Sequence, residues 1–435
     1  MICGPQNQPL GRVGSLTSIL FKVTQRECRN LAPSQHCKVR FPMKISSGAN
    51  ALQGQPMFHL IDKAKQLENA GVDVIHLEIG DPDFDTPKNI SQAAIDAISQ
   101  GDTHYVSSWG IPELIEAAQQ ATLKSRGFLP REKQVLVTPG ANIGIFYAIF
   151  CVAEPGDEIL VPDPGFPTYL SALAMCGVKP VQYRLHSEDA FRPNLQELES
   201  RINSRTRMII LTSPNNPTGS MLTREDLESI FALAERHDLY IYSDEIYSRM
   251  VYEKKDFYSI SEVDQCSTRV ILANGFSKAF AMTGWRLGVL VAPEVLTEKM
   301  MLLLQTTSSC VSPFVQRAGV EAIVGEQSDV VKMMDAYRDR RDLLVKGLND
   351  IVGVRCEVPK GAFYVFADIS SFGLTSIEFA AKALEDHGIA ILPGTDFGPA
   401  GEGFVRLSFA NSEERLDEAL IRIKTFCDRL RGEYV

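Results

Sequence analysis

The chain holds nine cysteines but no CxxC pair; they fall at 3, 28, 37, 151, 176, 266, 310, 356 and 427. An odd count with scattered spacing does not make a disulfide framework and points to reduced thiols in a cytosol-like compartment. No apolar run approaches the roughly 20 residues that span a bilayer, so a membrane location is not expected. The seven histidines show no metal-ligand spacing such as HExxH, so no metal is expected. Positive charge is not in excess. A net charge of -10 argues against nonspecific binding to nucleic acid or anionic membranes. Internal repeats and low-complexity linkers are also missing. What is present is 435 residues, 45% apolar and 23% charged, which is ordinary for a soluble globular enzyme with one large and one small domain.

The first 42 residues differ from the rest. Arg12, Lys22, Arg26, Arg29, Lys38 and Arg40 are basic, and Glu27 alone is acidic. The stretch lacks the compact apolar core of a secretory signal and is weakly transit-peptide-like. Residues 1–42 are therefore expected to be a disordered leader, or an extension that is not translated if synthesis starts at Met43. The expected location is cytoplasmic, or organellar if the leader is a transit peptide.

Hydrophobic periodicity then alternates. Met57, Leu60, Ile61, Ala64 and Leu67 line one face of a helix that stops at Gly71. Uninterrupted apolar strands are expected at 135–138, 159–161, 208–211, 239–242, 270–273 and 287–291. Such strands, separated by helices, describe a mainly parallel sheet covered on both faces. After about residue 326 the pattern changes to a long charged helix (328–349), then strands at 362–366, 389–392 and 405–408, then a final amphipathic helix. That is an α+β second domain.

The strand ends carry the chemistry. Ligands of open α/β sheets bind beyond the carboxyl ends of strands. Lys278 follows the strand at 270–273, within Gly275-Phe276-Ser277-Lys278-Ala279-Phe280-Ala281-Met282-Thr283-Gly284-Trp285-Arg286-Leu287-Gly288. A lysine eight residues before an arginine suits a Schiff base with an aldehyde cofactor beside a phosphate clamp. The flanking Phe276, Phe280 and Met282 argue against full exposure, and a desolvated amine is the better nucleophile. Asp244 closes another strand in Ser243-Asp244-Glu245-Ile246-Tyr247. Asn216 lies in Asn215-Asn216-Pro217-Thr218-Gly219, a good turn in its own right. Gly140-Ala141-Asn142 opens a helix after a strand, a ready phosphate site. Arg406 interrupts a short apolar strand with a planar fork suited to a carboxylate.

These motifs resemble those of the class I/II pyridoxal-phosphate-dependent aminotransferases, in that family's order, over about residues 43–430. The resemblance implies an α/β fold of pyridoxal-phosphate fold type I. Its large domain has a mainly parallel seven-stranded sheet flanked by helices, expected at 88–325. The smaller α+β domain takes 326–435, with residues 43–87 as an N-terminal arm and part of it. It implies pyridoxal 5′-phosphate as cofactor, with Lys278 catalytic and forming the internal aldimine. Asp244 would meet the pyridine nitrogen, and Tyr247 and Asn216 the phenolic oxygen. Phe166 would stack on the ring. Ala141, Asn142, Ser277 and Arg286 would hold the phosphate. Arg406, Gly80 and Asn216 would receive the substrate carboxylate. Tyr105 would reach the phosphate of a neighbouring subunit, which implies a homodimer with shared active sites.

Some positions depart from the family. Gly275 stands where a serine often touches the phosphate. Leu114-Ile115 and Cys310-Val311 replace the common Leu-Arg and Asn-Pro. Ala141 stands where aspartate-type relatives often carry a lysine, and Gln55-Pro56-Met57-Phe58, expected near the substrate side chain, has no charge. A second carboxylate would then be poorly paired, so neutral donors are expected. The expected activity is transfer of an amino group between an L-amino acid and a 2-oxo acid by ping-pong kinetics. A lyase or cyclising enzyme of the same fold is the alternative. A regulator with an aminotransferase-like domain is disfavoured, since no helix-turn-helix pattern accompanies it.

Overall fold

The computed structural model describes residues 45–52, 54, 57–253 and 257–433. The leader expected at 1–42 lies outside them, as do Gln55 and Pro56. A two-residue strand β1 (Ile75–His76) comes first. Eight strands then build the main sheet: β2 (Val135–Thr138), β3 (Glu158–Asp163), β4 (Lys179–His186), β5 (Arg192–Pro193), β6 (Thr206–Thr212), β7 (Tyr240–Asp244), β8 (Val270–Gly275) and β9 (Gly288–Val291). Their spatial order is β2-β9-β8-β7-β6-β3-β4-β5. The expected seven strands are joined by the two-residue edge strand β5, antiparallel to β4. Strands β2, β3, β6 and β7 are buried along almost their whole length, which is why they read as apolar runs rather than alternating ones.

β9 runs against both of its neighbours, β2 and β8. Its first residue, Gly288, therefore pairs with Thr138 at the end of β2 and with Gly275 at the end of β8. This reversal brings Arg286, two residues earlier, to the edge where the parallel strands end.

The second sheet is β10 (Arg355–Cys356), β11 (Tyr364–Asp368), β13 (Leu392–Pro393) and β14 (Phe404–Ser408), in the order β10-β11-β14-β13. β12 (Ile389–Ala390) pairs with β1 instead. The strand expected at 389–392 is thus two short strands with different partners, because the chain leaves β1 and turns onto β14 at Ile391. The strand expected at 362–366 starts at Tyr364. Ala362 has φ +59, a left-handed conformation outside the strand region. The helices Ser328–Asn349 and Glu413–Glu433 cover this sheet.

The carboxyl end of β7 is pinned from below. Glu245 is buried and accepts from Arg126 Nη2 at 2.6 Å, from Ser259 Oγ at 2.5 Å and from Ser243 Oγ at 3.1 Å. Arg126 is equally buried, at the last turn of the helix Pro112–Arg126, where a cation also suits the helix dipole. Removing one partner of a buried pair leaves a bare charge and costs about 3–5 kcal/mol. Arg126→Met is therefore expected to lower the urea midpoint of unfolding markedly. A midpoint equal to that of the parent chain would show that the pair does not anchor β7.

Candidate active site

Lys278 sits in the turn after β8. Phe276, Ala279, Phe280 and Met282 around it are buried, and the rings of Phe276 and Phe280 stack with centroids 5.7 Å apart. Its Nζ donates to the backbone oxygen of Gly80 and lies 5.8 Å from the centre of the Phe363 ring. Among the described residues it has no ion-pair partner. Burial pushes the ammonium down to about 8; Asp81 opposes this, while Arg406 and Arg286 reinforce it.

Arg406 comes to the same space from β14. It is buried, with Nη1 donating to Asn216 Oδ1 at 3.1 Å and Nη2 to the backbone oxygen of Glu78. Its Nε is buried without a hydrogen-bond partner among the described residues. The guanidinium lies 4.3 Å from the centre of the Tyr364 ring and 5.0 Å from that of Phe397. No carboxylate forms an ion pair with it among the described residues. Because Asn216 turns its oxygen to Arg406, its amide hydrogens face elsewhere.

Asp244 is buried at the end of β7. It accepts from Tyr169 Oη at 2.9 Å and from the Ile246 amide at 3.2 Å, and burial raises its carboxyl to about 6. Tyr169 also meets Thr212 at the end of β6, at 2.7 Å. Tyr247 is buried, and its hydroxyl lies 2.8 Å from that of Tyr364. Phe166 is half-buried and edge-on to Tyr169, centroids 5.8 Å apart.

The helix Ala141–Val152 begins at the end of β2, with Gly140 as its N-cap at φ +85. A Cβ on Gly140 would stand 2.5 Å from Arg286 Nη2, so the glycine leaves room for the guanidinium against free helix N–H groups. A Cβ on Gly288 would meet the Ala141 nitrogen at 2.5 Å, which lets β9 run close under the same helix end. Arg286 is exposed and adopts φ +54, a conformation that costs an L residue roughly 1–2 kcal/mol. Its Nη1 bonds the Thr283 carbonyl at 2.9 Å. Ala141 and Asn142 are the first two residues of the helix, and Ser277 is buried beside Lys278.

Sequence reasoning missed several groups. Tyr169 supports Asp244 and lies three residues after Phe166, a spacing that could have flagged it. Tyr364 and the Glu78 carbonyl have no local signal, since both act through contacts across the fold. A cleft of about 500 Å³ opens beside Gly80, lined by Asp81, Phe84, Ala281, Thr283, Trp285 and Phe314. Trp285 Nε1 donates to Thr86 Oγ1 at 3.0 Å, and Thr86 donates to the Ala281 carbonyl at 2.6 Å, so the strap after Gly80 is tied to the lysine loop. Tyr105 is 87% exposed. The side chain of Phe58 lies outside the described residues.

The family described as aminotransferase class I and II matches residues 72–423. The chain is 43% identical over 367 residues to an aspartate aminotransferase of Pyrococcus horikoshii, covering 84% of this chain and 92% of that one. It is 40% identical to aromatic-amino-acid aminotransferase 2 of Thermococcus litoralis, covering 88% and 98%. The solved alanine aminotransferase of Pyrococcus furiosus superposes with a TM-score of 0.85 at 32% identity, covering 89% and 100%. Reversed β9, parallel neighbours and flanking helices form the α/β architecture of fold type I, as expected. The chain belongs to the class I and II aminotransferases, and it is a transaminase that works on amino and 2-oxo acids.

Proposed function

We propose that the protein carries pyridoxal 5′-phosphate on Lys278 and uses it to move amino groups from L-amino acids to 2-oxo acids in a ping-pong cycle. One observation carries the reading. The amine of Lys278 and the guanidinium of Arg406 converge on one space with no ion-pair partner among the described residues, each held by a backbone oxygen of the segment Glu78-Ile79-Gly80. Two desolvated cations side by side call for anionic ligands. The orphaned Arg406 Nε and the cradle between Gly140 and Arg286 fit a carboxylate and a phosphate respectively.

In this reading Arg286, Ala141, Asn142 and Ser277 hold the phosphate, Asp244 holds a proton on the pyridine nitrogen, and Phe166 covers the ring. Tyr247 and the Asn216 amide donate to the phenolic oxygen. When bound, the cofactor supplies an aldehyde that condenses with amines and a ring that withdraws electrons from the substrate carbon. Arg406 grips the α-carboxylate with its fork, and Gly80 lets the backbone come close, since any Cβ there would strike the Tyr364 hydroxyl. Lys278, freed when the donor's amine takes its place and pushed down to about 8 by burial, would take the proton from the substrate Cα and deliver it to the cofactor's C4′ carbon. Tyr105, exposed in the single chain, would complete the phosphate site of a second copy in a homodimer. The relatives described above are aminotransferases, which favours transfer over elimination or cyclisation.

Donor preference follows from charge. Ala141 offers no cation where aspartate-type relatives often carry a lysine, so a second substrate carboxylate finds no fixed partner at that position. In a panel of donors assayed with one 2-oxo acid, alanine, leucine and phenylalanine are expected to outrun aspartate, and Lys278→Ala to lose turnover with all of them. Aspartate as the fastest donor would refute the preference, and full turnover by Lys278→Ala would refute the mechanism. Arg406→Ala is expected to lower kcat/KM for every donor by about 10²–10³ while the bound cofactor still colours the protein. An unchanged kcat/KM would remove Arg406 from substrate binding. The depressed amine sets a third expectation. The rate at which protein stripped of cofactor takes up pyridoxal phosphate should climb as pH rises through about 8, where Lys278 becomes neutral, rather than through the 10.5 of an ordinary lysine. Stopped-flow absorbance measures it, and a profile flat through pH 8 would contradict the assignment.

A further inference from the structure

Tyr364 meets three parts of the site at once. Its hydroxyl lies 2.8 Å from the hydroxyl of Tyr247. Its ring faces the Arg406 guanidinium at 4.3 Å. The same hydroxyl fills the space where a side chain on Gly80 would begin. Tyr364 is buried, and a buried phenol needs a hydrogen-bond partner. Tyr247 Oη is its partner among the described residues.

Each phenol has one proton to give. If Tyr247 donates to a ligand, the proton between the two tyrosines must come from Tyr364. We propose that Tyr364 is a positioning residue: its hydroxyl donates to Tyr247 and thereby turns the Tyr247 proton toward the cofactor's phenolic oxygen, while its ring carries the guanidinium of Arg406. This rests on the functional reading above. A hydroxyl that itself accepts a hydrogen bond is a stronger donor, so the chain Tyr364–Tyr247–phenolic oxygen reinforces itself. Charged groups acting on the pair are Arg406 on both phenols, Asp244 on Tyr247 and Asp81 on Tyr364. Burial keeps both phenols protonated, as the donor chain requires.

A donor onto the phenolic oxygen stabilises its negative charge. It weakens that oxygen's hold on a proton shared with the nitrogen joining lysine to cofactor, so that proton leaves at lower pH. The test is a pH titration of the visible absorption of the loaded protein in four forms: the parent, Tyr364→Phe, Tyr247→Phe and the double variant. Both substitutions keep the ring and remove only a hydroxyl. Tyr364→Phe is expected to raise the midpoint by about half a unit and Tyr247→Phe by about a unit or more, with the double variant matching Tyr247→Phe alone. Tyr364→Leu, which also removes the ring, is expected to raise KM for the amino donor several-fold, while Tyr364→Phe leaves KM near the parent value. A Tyr364→Phe midpoint equal to the parent's, or a shift that persists in full without the Tyr247 hydroxyl, overturns the inference and leaves the functional reading intact. A parent protein that takes up no pyridoxal phosphate overturns both.

Discussion

Two backbone carbonyls two residues apart organise this molecule. The oxygen of Glu78 holds Arg406 and the oxygen of Gly80 holds Lys278. The arginine comes from β14 of the smaller sheet and the lysine from the turn after β8 of the larger one, so the segment Glu78-Ile79-Gly80 is where the two sheets contribute to one site. Had a carboxylate held either cation, the desolvation cost would have been met internally and no ligand charge would be needed. A neutral carbonyl supplies a hydrogen bond without cancelling the charge. Each cation therefore stays oriented without an ion-pair partner among the described residues.

That arrangement depends on features elsewhere in the chain. The reversal of β9 returns Arg286 to the edge where β2 and β8 end. Glycine at 140 and 288 lets the helix Ala141–Val152 and β9 approach the guanidinium closely. The pair Arg126–Glu245 fixes the strand end from which Asp244 and Tyr247 project. Tyr169 and Thr212 then tie Asp244 to β6 and to the neighbouring helix. Each device lies at the same sheet edge, so small displacements of the strands would be felt together by the residues gathered there.

Much of this was legible in the sequence, for a definite reason. Asp244 closes an apolar strand, and Lys278 and Asn216 each follow one within four residues; a strand end in an open α/β sheet has a known place. Arg406 stood out because it breaks an apolar strand. Groups that act only across the fold had no such mark. Tyr364 reads as one more core aromatic, and the carbonyls of Glu78 and Gly80 have no side-chain signal. The strand boundary at 364 was missed because Ala362 adopts a left-handed conformation that composition does not announce. The interruption at Ile391 was missed because partner exchange between strands is a property of the whole sheet.

Gly275 shows how a local departure is compensated by its surroundings. A Cβ at this position would stand 2.7 Å from Ile246 Cδ1 and 3.3 Å from Ala141 Cβ. The room that a hydroxyl-bearing side chain would need is thus taken by an isoleucine from beyond β7 and a methyl from the phosphate-cradle helix. Ile246 lies between Asp244 and Tyr247, so retracting it to admit a serine would disturb both of these buried residues. A lost polar contact is worth about 1–3 kcal/mol if its partner is left bare. A phosphate bound here, as the proposed function has it, would not be left bare, because the helix N-terminus and Arg286 stand beside it. The exchange of one hydroxyl for close packing is therefore tolerable at the end proposed to hold the phosphate, where donors are plentiful. In the proposed function it would not be tolerable at Arg406, where one fork would bear the whole charge of the carboxylate.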